Sequence, residues 1–176
     1  MSRLDGYRTR RDGYFATDEG SPLTHEDRHR FTGLAYFDER PDLSFVLEID
    51  DSGEGVGEIV EFATADNTAK KFLRAGRIHF EANGQPTTLT VFKDLDRGRF
   101  FLPFKDATAG KETYGVGRYL DPQQRPDGRL IVDFNYAYNP YCAYSHGWSC
   151  ALTPFENIVR VPIEAGEKNF PLGHED

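Results

Sequence analysis

The sequence predicts a mainly β protein, an antiparallel barrel or sandwich of about seven or more short strands with one or two short N-terminal helices. Three observations predict it. Apolar residues alternate at period two through LSFVLEID (43–50), and similar runs recur at short intervals to residue 134. Turn signals, Asn83-Gly84 the clearest, separate the runs. No long amphipathic pattern lies between them, as crossovers joining parallel strands would require.

The 176 residues suit a single domain over 1–176. It divides into an N-terminal arm and short helix (1–33), antiparallel strands (43–134), an irregular segment (135–157) and a C-terminal strand and tail (158–176). Residues 1–20 are polar and rich in Arg and Asp, with Tyr7, Tyr14 and Phe15 as anchors for a short helix or extended arm. In SPLTHEDRHRF, Ser21 or Thr24 can N-cap a helix with Pro22 near its first turn, Glu26 and Asp27 favoured by the dipole, and an end near Gly33. His25 and His29 are four apart on it, but without a third ligand nearby they read as surface residues.

After the first strand come the turn DSGEGVG and a strand in GEIVEFATA. RIHFEANGQPTTLTVF is a hairpin, because Asn-Gly tolerates the positive φ of a tight turn. His79 within it reads as a hydrogen-bonded surface histidine rather than a catalytic base. KDLDRGR leads into FFLPF through Gly98. TYGVGRYL and RLIVDF are then expected to pair around DPQQRPDG. With that loop centred near Gln124, Val116 would face Asp133, Arg118 would lie diagonally from Asp133, and Tyr114 would share the face of Arg118.

A net charge of −8 argues against nucleic acid, whose phosphates require a basic face. No apolar run approaches the ~20 residues of a membrane span. The N-terminus has no apolar stretch behind its basic residues, so no signal peptide is read and cytoplasmic residence is expected. Oligomeric state is left open.

ATAGKET (107–113) lacks the first glycine of a phosphate-binding loop, since Lys105 stands there. Gly115 and Gly117 are half a dinucleotide fingerprint, better read as a bend or close approach within a strand. Cys142, His146 and Cys150 recur every four residues, but Pro140 and Gly147 argue against the helix that would align them on zinc. A short-loop disulfide or two packed thiols fit better. No metal and no cofactor is expected. Residues 133–157 hold both cysteines, the only tryptophan and four of the nine tyrosines. Ordering so irregular a segment requires specific partners.

FLPFKDATAGKETYGVGRYLD, DFNYAYNPYCAYSHGWSC and FENIVRVPIEAGEK resemble the signature blocks of the bacterial and archaeal family catalogued as domain of unknown function 1684. RDGYF, SPL and FTGLAYF resemble its opening blocks. The resemblance implies no established activity. It singles out Asp106, Thr108, Glu112, Tyr114, Arg118, Asp133, Asn135, Asn139, Tyr141, Cys142, Cys150, Glu156 and Asn157. Ala151 and Thr153 depart from its prolines and Tyr136 from its arginine, and it does not require His146.

The leading expectation is a β domain binding a small anionic molecule beneath 135–157, with Arg118 and Asn135 or Asn139 fixing it. Thr108, Tyr114, Asp133, Tyr141 and Asn157 complete the candidate binding set. The alternative is a hydrolase or lyase using Asp106, Glu112 or Glu156 as acid or base. A third reading makes 133–157 a structural plug or interaction module whose polar groups satisfy buried backbone.

Overall fold

The computed structural model describes residues 1–173. Two helices, α1 (Arg3–Thr17) and α2 (His25–Arg30), precede eight strands. These are β1 (Ser44–Leu47), β2 (Ile59–Ala63), β3 (Ala69–Ala82), β4 (Gln85–Asp94), β5 (Phe100–Phe104), β6 (Arg118–Leu120), β7 (Gln123–Gln124) and β8 (Leu130–Asp133). All pairings are antiparallel, in a five-stranded sheet ordered β2-β3-β4-β5-β6 and a three-stranded sheet ordered β1-β8-β7. No helix among the described residues is long and apolar enough to cross a membrane.

The N-terminal helix is longer than the sequence suggested, at 15 residues. A capping box starts it: Ser2 Oγ accepts from the Asp5 N–H and Asp5 accepts from the Ser2 N–H. Phe15 anchors it in a small aromatic cluster with Leu23, Leu34, Tyr144 and Phe170. Thr24 caps α2, which gives way to extended chain at Phe31.

Leu43 is fully buried, and Phe45, Leu47 and Ile49 pack beside it against Leu130 and Val132 of β8 and Ile78, Phe80, Leu89 and Val91 of the larger sheet. The main core therefore lies between the two sheets, as in a sandwich. Asn83 (φ 51°) and Gly84 (φ 74°) close the β3–β4 hairpin as expected. Gly98 (φ 67°) closes the β4–β5 hairpin.

One predicted pairing is wrong. Residues 113–117 form no strand and β6 does not pair with β8; it pairs with β5, placing Arg118 opposite Phe104. The loop closes a smaller hairpin, Gln123 opposite Ile131 and Gln124 opposite Leu130, while Asp133 faces Ser44 on β1. Val116 and Arg118 are therefore not neighbours of Asp133 across a ladder. Gly128 (φ 90°) sets the turn close to residues 125–129, so only two residues on its N-terminal side can join. The expected C-terminal strand is also absent: 158–173 run as an extended strap, joined to the body by single bridges at Lys105–Ile158 and Tyr36–Glu167. The remainder of the predicted tail, 174–176, lies outside the described residues.

Candidate functional site

A bulge decides which side chains face the site. Register in the β3–β4 pair runs Arg74 opposite Phe92, then Gly76 opposite Val91, leaving Ala75 unpaired. One extra residue reverses the faces beyond it. Ile78, Phe80 and Ala82 consequently enter the main core, whereas Phe72 joins Phe62, Phe92 and Phe101 in a second cluster on the opposite side of the same sheet. Gly76 (φ 151°) is required beside the bulge, because a Cβ there would lie 2.7 Å from the Asp50 carbonyl oxygen. The alternation continues through β6: Arg118 points into the core and Tyr119 toward the second face, where its ring lies 4.8 Å from that of Phe101.

On the core side, Arg118 is 1% exposed. Its Nη1 donates to the carbonyls of Ala165 and Glu167 (3.2 Å for the latter), and its Nη2 to Ile163 O (2.7 Å) and Asp106 Oδ1 (3.4 Å). Asp106 also accepts from the Ile163 N–H at 2.6 Å and from Thr108 Oγ1, which touches Thr113 Oγ1 at 2.8 Å. Burial draws the guanidinium pKa down while Asp106 opposes it, and from so high a start it stays charged. The fork is thus committed to the C-terminal strap.

The asparagines behave alike. Asn157, fully buried, accepts the Thr90 N–H and donates to the carbonyls of Thr90 and Pro103, each at 2.8 Å. Its amide fills the gap where β4 and β5 splay, substituting for ladder bonds. Asn135 pairs with both backbone groups of Arg40 as another strand would, and Asp133 caps the turn that follows it. Asn139 donates to Glu167 Oε2 (3.2 Å) and Lys168 O (3.0 Å), but its Oδ1 is buried without a partner among the described residues.

The outward face is different. Beneath residues 138–151 lies a cleft of about 360 Å³ lined by Lys70, Phe72, Phe101, Tyr119, Tyr138 and Trp148, with Asn139–Tyr141 and Ser149–Ala151 completing the wall. Phe72 and Phe101 stack at 5.0 Å with planes 21° apart. The amphipathic rings are tied at their polar ends. Tyr119 donates to Ala151 O, Tyr138 to Asp121 Oδ2 (2.8 Å) and Trp148 Nε1 to Ser145 Oγ (2.8 Å), while the Tyr141 hydroxyl meets that of Tyr14 at 3.3 Å. Burial holds the Tyr119 and Tyr138 phenols above their ordinary pKa, so both stay donors. Lys70 is exposed and makes no ion pair among the described residues.

Of the predicted binding set, Asn139 and Tyr141 line this cleft. Arg118, Asn135, Thr108 and Asn157 are buried elsewhere and bonded within the protein. Tyr114 lies in the loop before β6, its carbonyl accepting from Gly117. The proposed carboxylates are dispersed: Asp106 holds Arg118, Glu112 is exposed, and Glu156 pairs with Arg74 at 2.9 Å and accepts from Thr90 Oγ1. Burial alone would raise Glu156, but Arg74 and Thr90 outweigh it and hold its pKa below the ordinary 4.5. For Glu156 that direction is the opposite of the raised pKa expected of a general acid in a cleft.

The cysteines are free and packed together: the Cys142 N–H donates to Cys150 Sγ and Cys142 Sγ to Trp148 O. Burial, then the Cys150 thiol, push Cys142 up to about 12. Among the described residues no group of three or more His, Cys, Asp or Glu is placed to hold a metal ion. His79 is exposed and bonds Asp50 and Thr88.

Sequence reasoning missed Glu167, fully buried, which receives Arg11 Nη2 at 2.7 Å, the Tyr144 hydroxyl and the Asn139 N–H. It stands in the third quoted block, so its position was visible but not its burial. Lys70, Phe72 and Tyr119 were missed as cleft residues because the face-reversing bulge was unread.

Known proteins place the chain as follows. No curated protein matches it. It is similar to an uncharacterized protein of Haloarcula marismortui whose structure was solved in solution by NMR, at 34% identity over 94% of this chain and 92% of that one, with a TM-score of 0.69. A family model described as "Protein of unknown function (DUF1684)" matches residues 29–168, and the chain belongs to that family.

Proposed function

We propose that the protein binds a small, flat, anionic molecule in the aromatic cleft beneath residues 138–151. The observation that carries this reading is the orientation of Tyr119, Tyr138 and Trp148. Each has its polar end fixed inside the protein and its ring in the lining. Rings anchored in this way lose little freedom when a guest stacks on them, so binding costs less ordering. Each favourable ring contact adds about 0.5–1.5 kcal/mol beyond area burial. Lys70 supplies the cation at the edge, and Asn139 stands in the wall. The cleft's 360 Å³ suits a compact ligand.

Trp148 is the only tryptophan and therefore a built-in reporter. Its fluorescence should change saturably on titration with benzoate, cinnamate or phenyl phosphate. Lys70→Gln should weaken binding of the anions about tenfold while leaving the corresponding neutral amides unaffected. Absence of saturation with all three probes, or equal affinity of Lys70→Gln for anion and amide, would overturn the proposal.

A further inference from the structure

A second cleft of about 550 Å³ lies on the other side of Tyr138, lined by Arg3, Tyr7, Asp121, Asp133, Tyr136 and Tyr138. The rings of Tyr7 and Tyr136 meet at 4.8 Å and 59°, forming a bent aromatic wall. Arginines already lie over the rings of Tyr36 and Tyr138, but none lies over Tyr7 or Tyr136 among the described residues. Their hydroxyls also lack hydrogen bonds there. Each carboxylate has one oxygen engaged: Asp121 Oδ2 accepts from Tyr138, and Asp133 Oδ1 accepts from the N–H and Nδ2 of Asn135. Asp121 Oδ1 and Asp133 Oδ2 have no partner among the described residues.

The lining carries two carboxylates against the one guanidinium of Arg3, with Arg99 acting on Asp121 from the neighbouring cleft, and the face of a tyrosine ring attracts cations. We infer that this cleft is a binding site for a small organic ammonium ion, held over Tyr7 and Tyr136 and neutralised by Asp121 and Asp133. Arg3, exposed and without an ion pair among the described residues, is the competing cation at its rim. The site opposes the aromatic cleft in charge and does not rest on a ligand being bound there.

The test is calorimetric titration of the full chain with choline and with its neutral isostere 3,3-dimethylbutan-1-ol. Choline should bind saturably and the alcohol at least about tenfold more weakly, because only the cation gains from ring and carboxylate. Asp121→Asn keeps an acceptor for Tyr138 and should weaken choline about threefold to tenfold; Tyr136→Leu should do likewise, and Arg3→Gln should tighten binding. Trp148 fluorescence should not follow choline. Melting curves identify any variant that fails to fold, and Arg3→Gln, at an exposed position, still reads the electrostatics. No saturable choline binding, equal affinity for the alcohol, or folded Asp121→Asn and Arg3→Gln proteins indistinguishable from wild type would overturn the inference.

Discussion

Arg118 and Tyr119 are adjacent in sequence and opposite in use. Arg118 faces the core, where Nη1 and Nη2 of its guanidinium join Asp106 to three strap carbonyls. Tyr119 faces outward, bonded at its hydroxyl and presenting its ring to a cleft. A buried charged group spends most of its hydrogen bonds on its own protein. An amphipathic ring can be pinned at one end and still offer a face. In this molecule the polar residues that suggest chemistry in the sequence hold the body together, and the aromatic ones make the opening.

The largest expected effect breaks the core side. Arg118→Met should cost about 3–5 kcal/mol in urea denaturation, because it strands the Asp106 carboxylate and unpairs the strap carbonyls. A cost below about 1 kcal/mol would show that the pair is dispensable. Tyr119→Phe sharpens the contrast: it removes one hydrogen bond and should cost only about 1 kcal/mol, while loosening the wall at Ala151 and weakening probe binding in the Trp148 assay.

The smallest effect concerns pH. Glu156 titrates below its ordinary 4.5 in the folded protein, so its contribution is present above 4.5 and is lost as pH falls through the depressed value. Asp50, lowered first by the Ser52 hydroxyl and then by His79, acts with the same sign. Glu167 acts oppositely: burial raises its pKa against the pull of Arg11, so its ionisation opposes folding as pH rises through 4.5. The melting temperature should fall below about pH 4.5, and Glu156→Gln should flatten part of that fall. An unchanged acid limb in Glu156→Gln would remove this assignment.

Local rules made part of this legible. Asn83-Gly84 and Gly98 carry their conformational requirement within a few residues, so both hairpins could be read directly. The β6–β8 pairing failed because the same local rule was extended too far: Pro122, Pro126 and Gly128 do mark a turn, yet its close admits only Gln123 and Gln124. The environment of Arg118 was not readable at all, since its partners stand 12 to 49 positions away. The bulge at Ala75 had a local sign, Gly76 inside a strand, but its consequence appears only once the register with β4 is known.

The fastening of the strap by Arg118 has a consequence for biogenesis. Residues 163–167 leave the ribosome after every strand of the described residues, so during translation both sheets can be assembled while the arginine waits uncovered. The body closes only when that late stretch arrives, and a ribosome stalled shortly before it would hold out a nearly finished sandwich with a charged, unsatisfied seam, a ready target for quality control.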